Sequence, residues 1–172
     1  MVLGLLFIAT PAMAIAPVAG DPAKSAAVFV QAFYDWYVPL ALASKDGFSY
    51  EIVLKQKPGF FTPGLDAALN KDLQASEKDP DEIVGLDFDP ILASQDPCDH
   101  YMAGAVVQVG KNYDVSISCK DEQKSYVSAE VTQQGSSWVI INFIYPPHDG
   151  LKNDDLLSLL KRLEKARSKS KK

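Results

Sequence analysis

The chain has 172 residues, 47% of them hydrophobic, with 17 Lys and Arg against 22 Asp and Glu for a net charge of −5. That apolar share supports a packed core and excludes a disordered polyelectrolyte, while the acidic excess repels phosphate backbones and argues against nucleic acid as a partner. The acidity is concentrated: residues 161–172 carry seven Lys and Arg against Glu164, so residues 1–160 have a net charge of −11.

Residues 1–16 are uncharged and apolar and close on the small residues Ala12, Ala14 and Ala16. This pattern predicts a secretory leader, although no Lys or Arg precedes Lys24. The run is too short for a transmembrane span, which needs about 20 apolar residues. A periplasmic or secreted protein with 156 residues remaining follows, enough for one domain over residues 21–160. In an oxidising compartment the only two cysteines, Cys98 and Cys119, are expected to pair. Two cysteines and the scattered His100 and His148 do not make a zinc site.

Asp21-Pro22 is a helix start, with a capping carboxylate followed by a proline whose missing N–H costs nothing in the first turn. Phe29, Phe33, Trp36, Tyr37 and Leu40 then recur at steps of three and four. Pro39 is expected to kink or end this helix near Val38, with residues 40–44 as a second short segment. Residues 45–59 read as a loop with a brief extended piece at 50–54. Thr62-Pro63 starts a short second helix with Leu65, Leu69 and Leu73 on its apolar face.

The period changes to two from Ala105 onward. Tyr113, Val115, Ile117 and Cys119 alternate with polar residues, as do Val127, Ala129 and Val131, and residues 105–109 supply a strand before them. Gly110-Lys111-Asn112, residues 121–124 and Gln134-Gly135-Ser136 fall where hairpin turns are needed. Residues 138–145 are apolar on both faces apart from Asn142, which predicts a strand in the middle of the sheet with a helix on its outer face. That helix is expected after Asn153-Asp154-Asp155, with Leu156, Leu157, Leu159, Leu160 and Leu163 apolar. Residues 161–172 read as a frayed basic tail.

Helices first and a four-strand meander after them make an α+β domain, with N-terminal helices packed on a curved antiparallel sheet and a helix at the C-terminus. The opening helix with Phe33-Tyr34-Asp35-Trp36-Tyr37, the Phe61-Thr62 stretch, Asp87-Phe88-Asp89-Pro90 with Ser94-Gln95-Asp96, and the closing strand together resemble the nuclear transport factor 2-like superfamily, the cystatin-like cone. Within it the chain looks most like an exported bacterial family. The resemblance implies a sheet curled around the first helix, leaving a conical cavity, and a group of isomerases, dehydratases and binding domains among which fold alone does not choose.

The expected pocket combines Phe29, Phe33, Tyr34, Trp36 and Tyr37 from the helix with Asp87, Asp89, Gln95 and Asp96. The densest polar cluster is Asp79, Asp81, Glu82, Asp87, Asp89, Gln95, Asp96 and Asp99, within which Asp87 and Asp89 with Gln95 and Asp96 offer oxygen ligands for calcium, but without the glycine turn and closing glutamate of a calcium loop. Turn-capping aspartates and a Gln95 bonded to backbone are the expected roles instead. A cone enzyme would need an acid or base in the cavity, and Tyr34, Tyr37, Asp35, Asp87 and His100 are the candidates. No Gly-x-Ser-x-Gly, phosphate loop, His-Glu-x-x-His or dinucleotide fingerprint occurs, so no catalytic residue, metal or cofactor is assigned. The leading expectation is a non-catalytic binding domain for a small apolar molecule or peptide. An envelope interaction factor of inhibitor or immunity type is the alternative, and a cone isomerase or dehydratase the third; under any of them the chain can form a homodimer.

Overall fold

The computed structural model describes residues 20–44, 49–56, 59–78, 85–120, 125–147 and 154–170. The expected leader, the turn at 121–124, Asp79, Asp81, Glu82, His148 and Asn153 lie outside the described residues. The order is α1 (Pro22–Ala43), α2 (Glu51–Gln56), α3 (Pro63–Glu77), β1 (Tyr101–Val109), β2 (Asn112–Cys119), β3 (Ser125–Gln134), β4 (Ser137–Tyr145), β5 (Asp154–Asp155) and α4 (Leu156–Ser170). The fold is α+β, and the strands form one antiparallel sheet in sequence order.

Asp21 caps α1 by accepting from the Ala23 amide at 3.0 Å. The helix does not break at Pro39 as the sequence suggests; it runs unbroken to Ala43. Pro39 sits on the exposed side, where water can take up the carbonyl it leaves unbonded, while Val38 and Ala41 on the other side are held in the core. α1 is long and apolar enough to cross a membrane by length and composition, but its buried positions face the domain core. The expected extended piece at 50–54 is a turn leading into a helix instead: Tyr50 just before α2 and Val53 within it point inward, with a Lys55–Glu51 pair outside.

β1 begins at Tyr101, four residues earlier than the alternation suggests. Two-residue turns with Gly110 and Gly135 at φ 62° join β1 to β2 and β3 to β4, a backbone value that glycine adopts without steric cost. Register shifts occur in each of the first three strand pairs, and such bulges bend and twist a sheet. Val115, Ile117, Val127, Ala129, Val131, Ile140 and Phe143 face inward and are buried with Phe33, Tyr37, Leu65 and Leu69.

β4 is interior, but it is not the central strand. Its outer edge is covered by the two residues of β5 and by Phe60–Thr62, whose backbone bonds both sides of Ile140. α4 is not on the outer sheet face either. It lies against α3 and the β4–β5 edge, burying Leu156 and Leu160 in the same core. Asn142 accepts from the Leu157 amide and donates to Asp155, and Asp155 accepts from the Ser158 amide, so the helix start is tied to β4. The expected frayed tail is, through Ser170, the second half of α4. Its Arg167 reaches the buried Asp72 of α3 at 2.6 Å, and Arg162 pairs with Asp154.

Candidate functional site

The aromatic stripe of α1 fills the interior. Phe33 is fully buried and meets Tyr34, Trp36, Tyr37, Phe60 and Phe61 with ring centroids 5.1 to 6.1 Å apart. Phe29 and Trp36 are half-buried and pack on Phe60. Rings at these separations and tilts are in contact, so this part of the domain is core.

The polar chemistry gathers on the loop that follows Gly85. Asp72, buried on α3, accepts from the Leu86 amide at 3.0 Å and from Arg167. A Cβ at residue 85 would land on Ser76 Oγ and within 2.8 Å of Asp72 Oδ2, so only glycine lets the loop start this close to α3. Further on, Asp89 and Ser94 exchange two backbone bonds and close a tight turn. The Asp89 side chain holds that turn from within: Oδ1 accepts from the Ile91 and Leu92 amides at 2.8 and 3.0 Å.

Three tyrosines grip the same turn. Tyr37 donates to Asp89 Oδ2 at 2.7 Å, Tyr34 to the Ile91 carbonyl at 2.6 Å, and Tyr145 to the Pro90 carbonyl at 2.9 Å. Burial pushes all three phenols well above their ordinary range, with the Asp89 charge adding to the effect, so they act as donors fixed in place. Burial likewise raises the Asp89 carboxyl, opposed by its bonds to Tyr37, Leu92 and Ile91. Ala93, at the end of the turn, has φ 53°, a left-handed conformation that costs a residue with a Cβ about 1 kcal/mol.

A cleft lies on each side of this loop, and Ser94 and Pro97 line both. The first, about 520 Å³, opens where α1 ends. Asp87, Asp89, Gln95, Ser44 and Ser49 give it polar groups, and Leu42, Tyr50 and Phe88 an apolar wall. The second, about 430 Å³, is lined by Asp96, Leu92, Tyr101 and the Cys98–Cys119 disulfide, which ties the loop to β2.

The residues expected to line one pocket therefore fall into three places. Phe29, Phe33, Tyr34, Trp36 and Tyr37 pack in or on the core; Asp87, Asp89 and Gln95 line the first cleft; Asp96 lines the second. Asp89 caps its turn and Gln95 donates to the Asp87 carbonyl at 3.0 Å, the roles their residue types suggest. Of the acid–base candidates, Asp35, Asp87 and His100 are exposed, and Asp35 accepts from Gln31 one turn away. Among the described residues no group of three or more His, Cys, Asp or Glu is placed to hold a metal ion. Tyr145 and Asp72 were not singled out by the sequence. Their partners lie 55 and 14 residues away, and no local pattern marks them.

No family model matches the chain, and neither the curated proteins nor the solved structures contain a match to it.

Proposed function

We propose that the protein is a periplasmic or secreted binding domain without catalysis, and that it binds through the cleft at the C-terminal end of α1 rather than through its aromatic interior. The carrying observation is the cleft itself: two carboxylates, Asp87 and Asp89, beside an apolar wall, with no basic side chain among its described lining residues. It sits at the carbonyl end of a long helix, which adds negative potential. Such a surface suits a small molecule or peptide side chain that joins an apolar body to an ammonium or guanidinium group. The sequence expectation of a small apolar molecule or peptide is thereby narrowed to one that carries a cation.

A non-catalytic role is supported by the state of Asp89. Its oxygens are engaged by two backbone amides and the Tyr37 hydroxyl, which leaves it a poor base for substrate. The disulfide and the apolar first sixteen residues support export.

Calorimetric titration with phenethylamine and with phenylpropionate tests this reading, since the two share an aromatic body and differ in charge. The amine is expected to bind and the acid not. Asp87→Asn, at an exposed position, is expected to weaken amine binding about tenfold, the value of one charged hydrogen bond. Equal binding of both compounds, or of neither, contradicts the proposal.

A further inference from the structure

β1 is the open edge of the sheet, and its two halves are treated differently. Along the first half the Gln31 side chain takes the place of a neighbouring strand, donating to the Tyr101 carbonyl at 3.1 Å and accepting from the Ala103 amide at 2.8 Å. The register then shifts between Ala103 and Val106. Beyond the shift, Val109 pairs with Asn112 across the two-residue turn, so strand alternation turns the N–H and C=O of Val106 and Gln108 away from β2. Among the described residues no hydrogen bond meets those groups from the open side.

This second half is uncharged and mostly apolar, with Val107 and Val109 58% and 51% exposed; outside it, Met102 in the first half and Val28 of α1 are 49% and 62% exposed. Residues 101–110 contain no Asp, Glu, Lys or Arg. Sheet edges are ordinarily protected by charges, prolines or bulges; here Gln31 and the bulge protect only the first half.

We propose that residues 105–109 of β1 pair antiparallel with the same residues of a second copy of this chain, joining two sheets into one across a twofold axis. Self-pairing is favoured over another partner because a twofold places the strand against itself, where any charge would meet its like, and this strand carries none. Val106 and Gln108 of the two copies exchange backbone bonds, and Val107 lies opposite its own counterpart on the outer face. The Val107 pair supplies a β-branched cross-strand contact.

The test is sedimentation velocity on the purified protein over a concentration series, together with amide exchange. A monomer–dimer equilibrium is expected, with exchange at Val106 and Gln108 slowing as concentration rises. Val107→Lys sets two ammonium groups face to face and should weaken association at least about tenfold. Because the Val107 side chain is exposed, that variant should keep the thermal midpoint of the wild-type protein at concentrations where both are monomeric, and Val107→Thr should keep both fold and dimer. A protein that stays monomeric at every concentration, or a dimer indifferent to Val107→Lys, overturns the proposal.

Discussion

The interior around Phe33 and the loop from Gly85 to His100 meet at Asp89 and share one core, but they differ in how polar groups are used. The interior is a set of rings in mutual contact, held by apolar burial and leaving no polar group to address. The loop sinks Leu86, Ile91 and Leu92 into the same core, but its backbone is set by point contacts: the Asp72 carboxylate, the hydroxyls of Tyr34, Tyr37 and Tyr145, and one disulfide. Both regions bury apolar side chains in the core, while the polar groups open to a ligand lie in the second. The tyrosines belong to both, with rings in the core and hydroxyls on the turn.

The contrast breaks first at Phe33. Phe33→Ala should cost about 4 kcal/mol by emptying a fully buried ring site, measured by denaturant unfolding, while leaving the affinity of the cleft nearly unchanged. Arg167→Met should cost about 3 kcal/mol, since it removes the cation that pairs with the buried Asp72 carboxylate and leaves its bond from the Leu86 amide. In that variant hydrogen exchange should accelerate at Leu86 before it does so in the sheet.

Asp89→Ala should cost about 2 kcal/mol, because the Ile91 and Leu92 amides and the Tyr37 hydroxyl lose their acceptor together. Asp89→Asn keeps the oxygen that receives the two amides and should cost less. It also isolates a pH effect. The Asp89 carboxyl is raised by burial, so the folded state holds this proton to higher pH than the unfolded chain. The contribution of Asp89 to stability accordingly falls as pH rises from the ordinary carboxylate value to the raised one, and Asp89→Asn should flatten the stability curve in that interval. The smallest effect is a gain: Ala93→Gly relieves the left-handed backbone at the end of the turn and should stabilise by about 0.5 kcal/mol or less, after the entropy cost of glycine.

The two regions also differ in how far they can be read from sequence. Asp21-Pro22 and the three-and-four spacing of aromatics define α1, and alternation defines β2, β3 and β4, because those signals are local. α2 is missed because six residues with one buried side chain carry almost no period. Pro39 misleads because its effect depends on which side of the helix faces solvent. The loop is legible only in residue type: Asp and Gln suggest turn caps, but Tyr34, Tyr37 and Tyr145 reach it across 57, 52 and 55 residues. For the same reason the aromatic stripe suggests a pocket, when its rings are in contact with one another and with Phe60 and Phe61. The position of α4 depends on the Asp72–Arg167 pair, 95 residues apart.

The most direct test is to map amide chemical shifts during titration with phenethylamine. Changes are expected to be confined to the end of α1, Ser49-Tyr50 and the Asp87 to Pro97 loop, with Phe29, Phe33 and Phe60 unmoved. Changes centred on those three phenylalanines would mean that the interior opens to ligand, and would contradict the division between core and cleft.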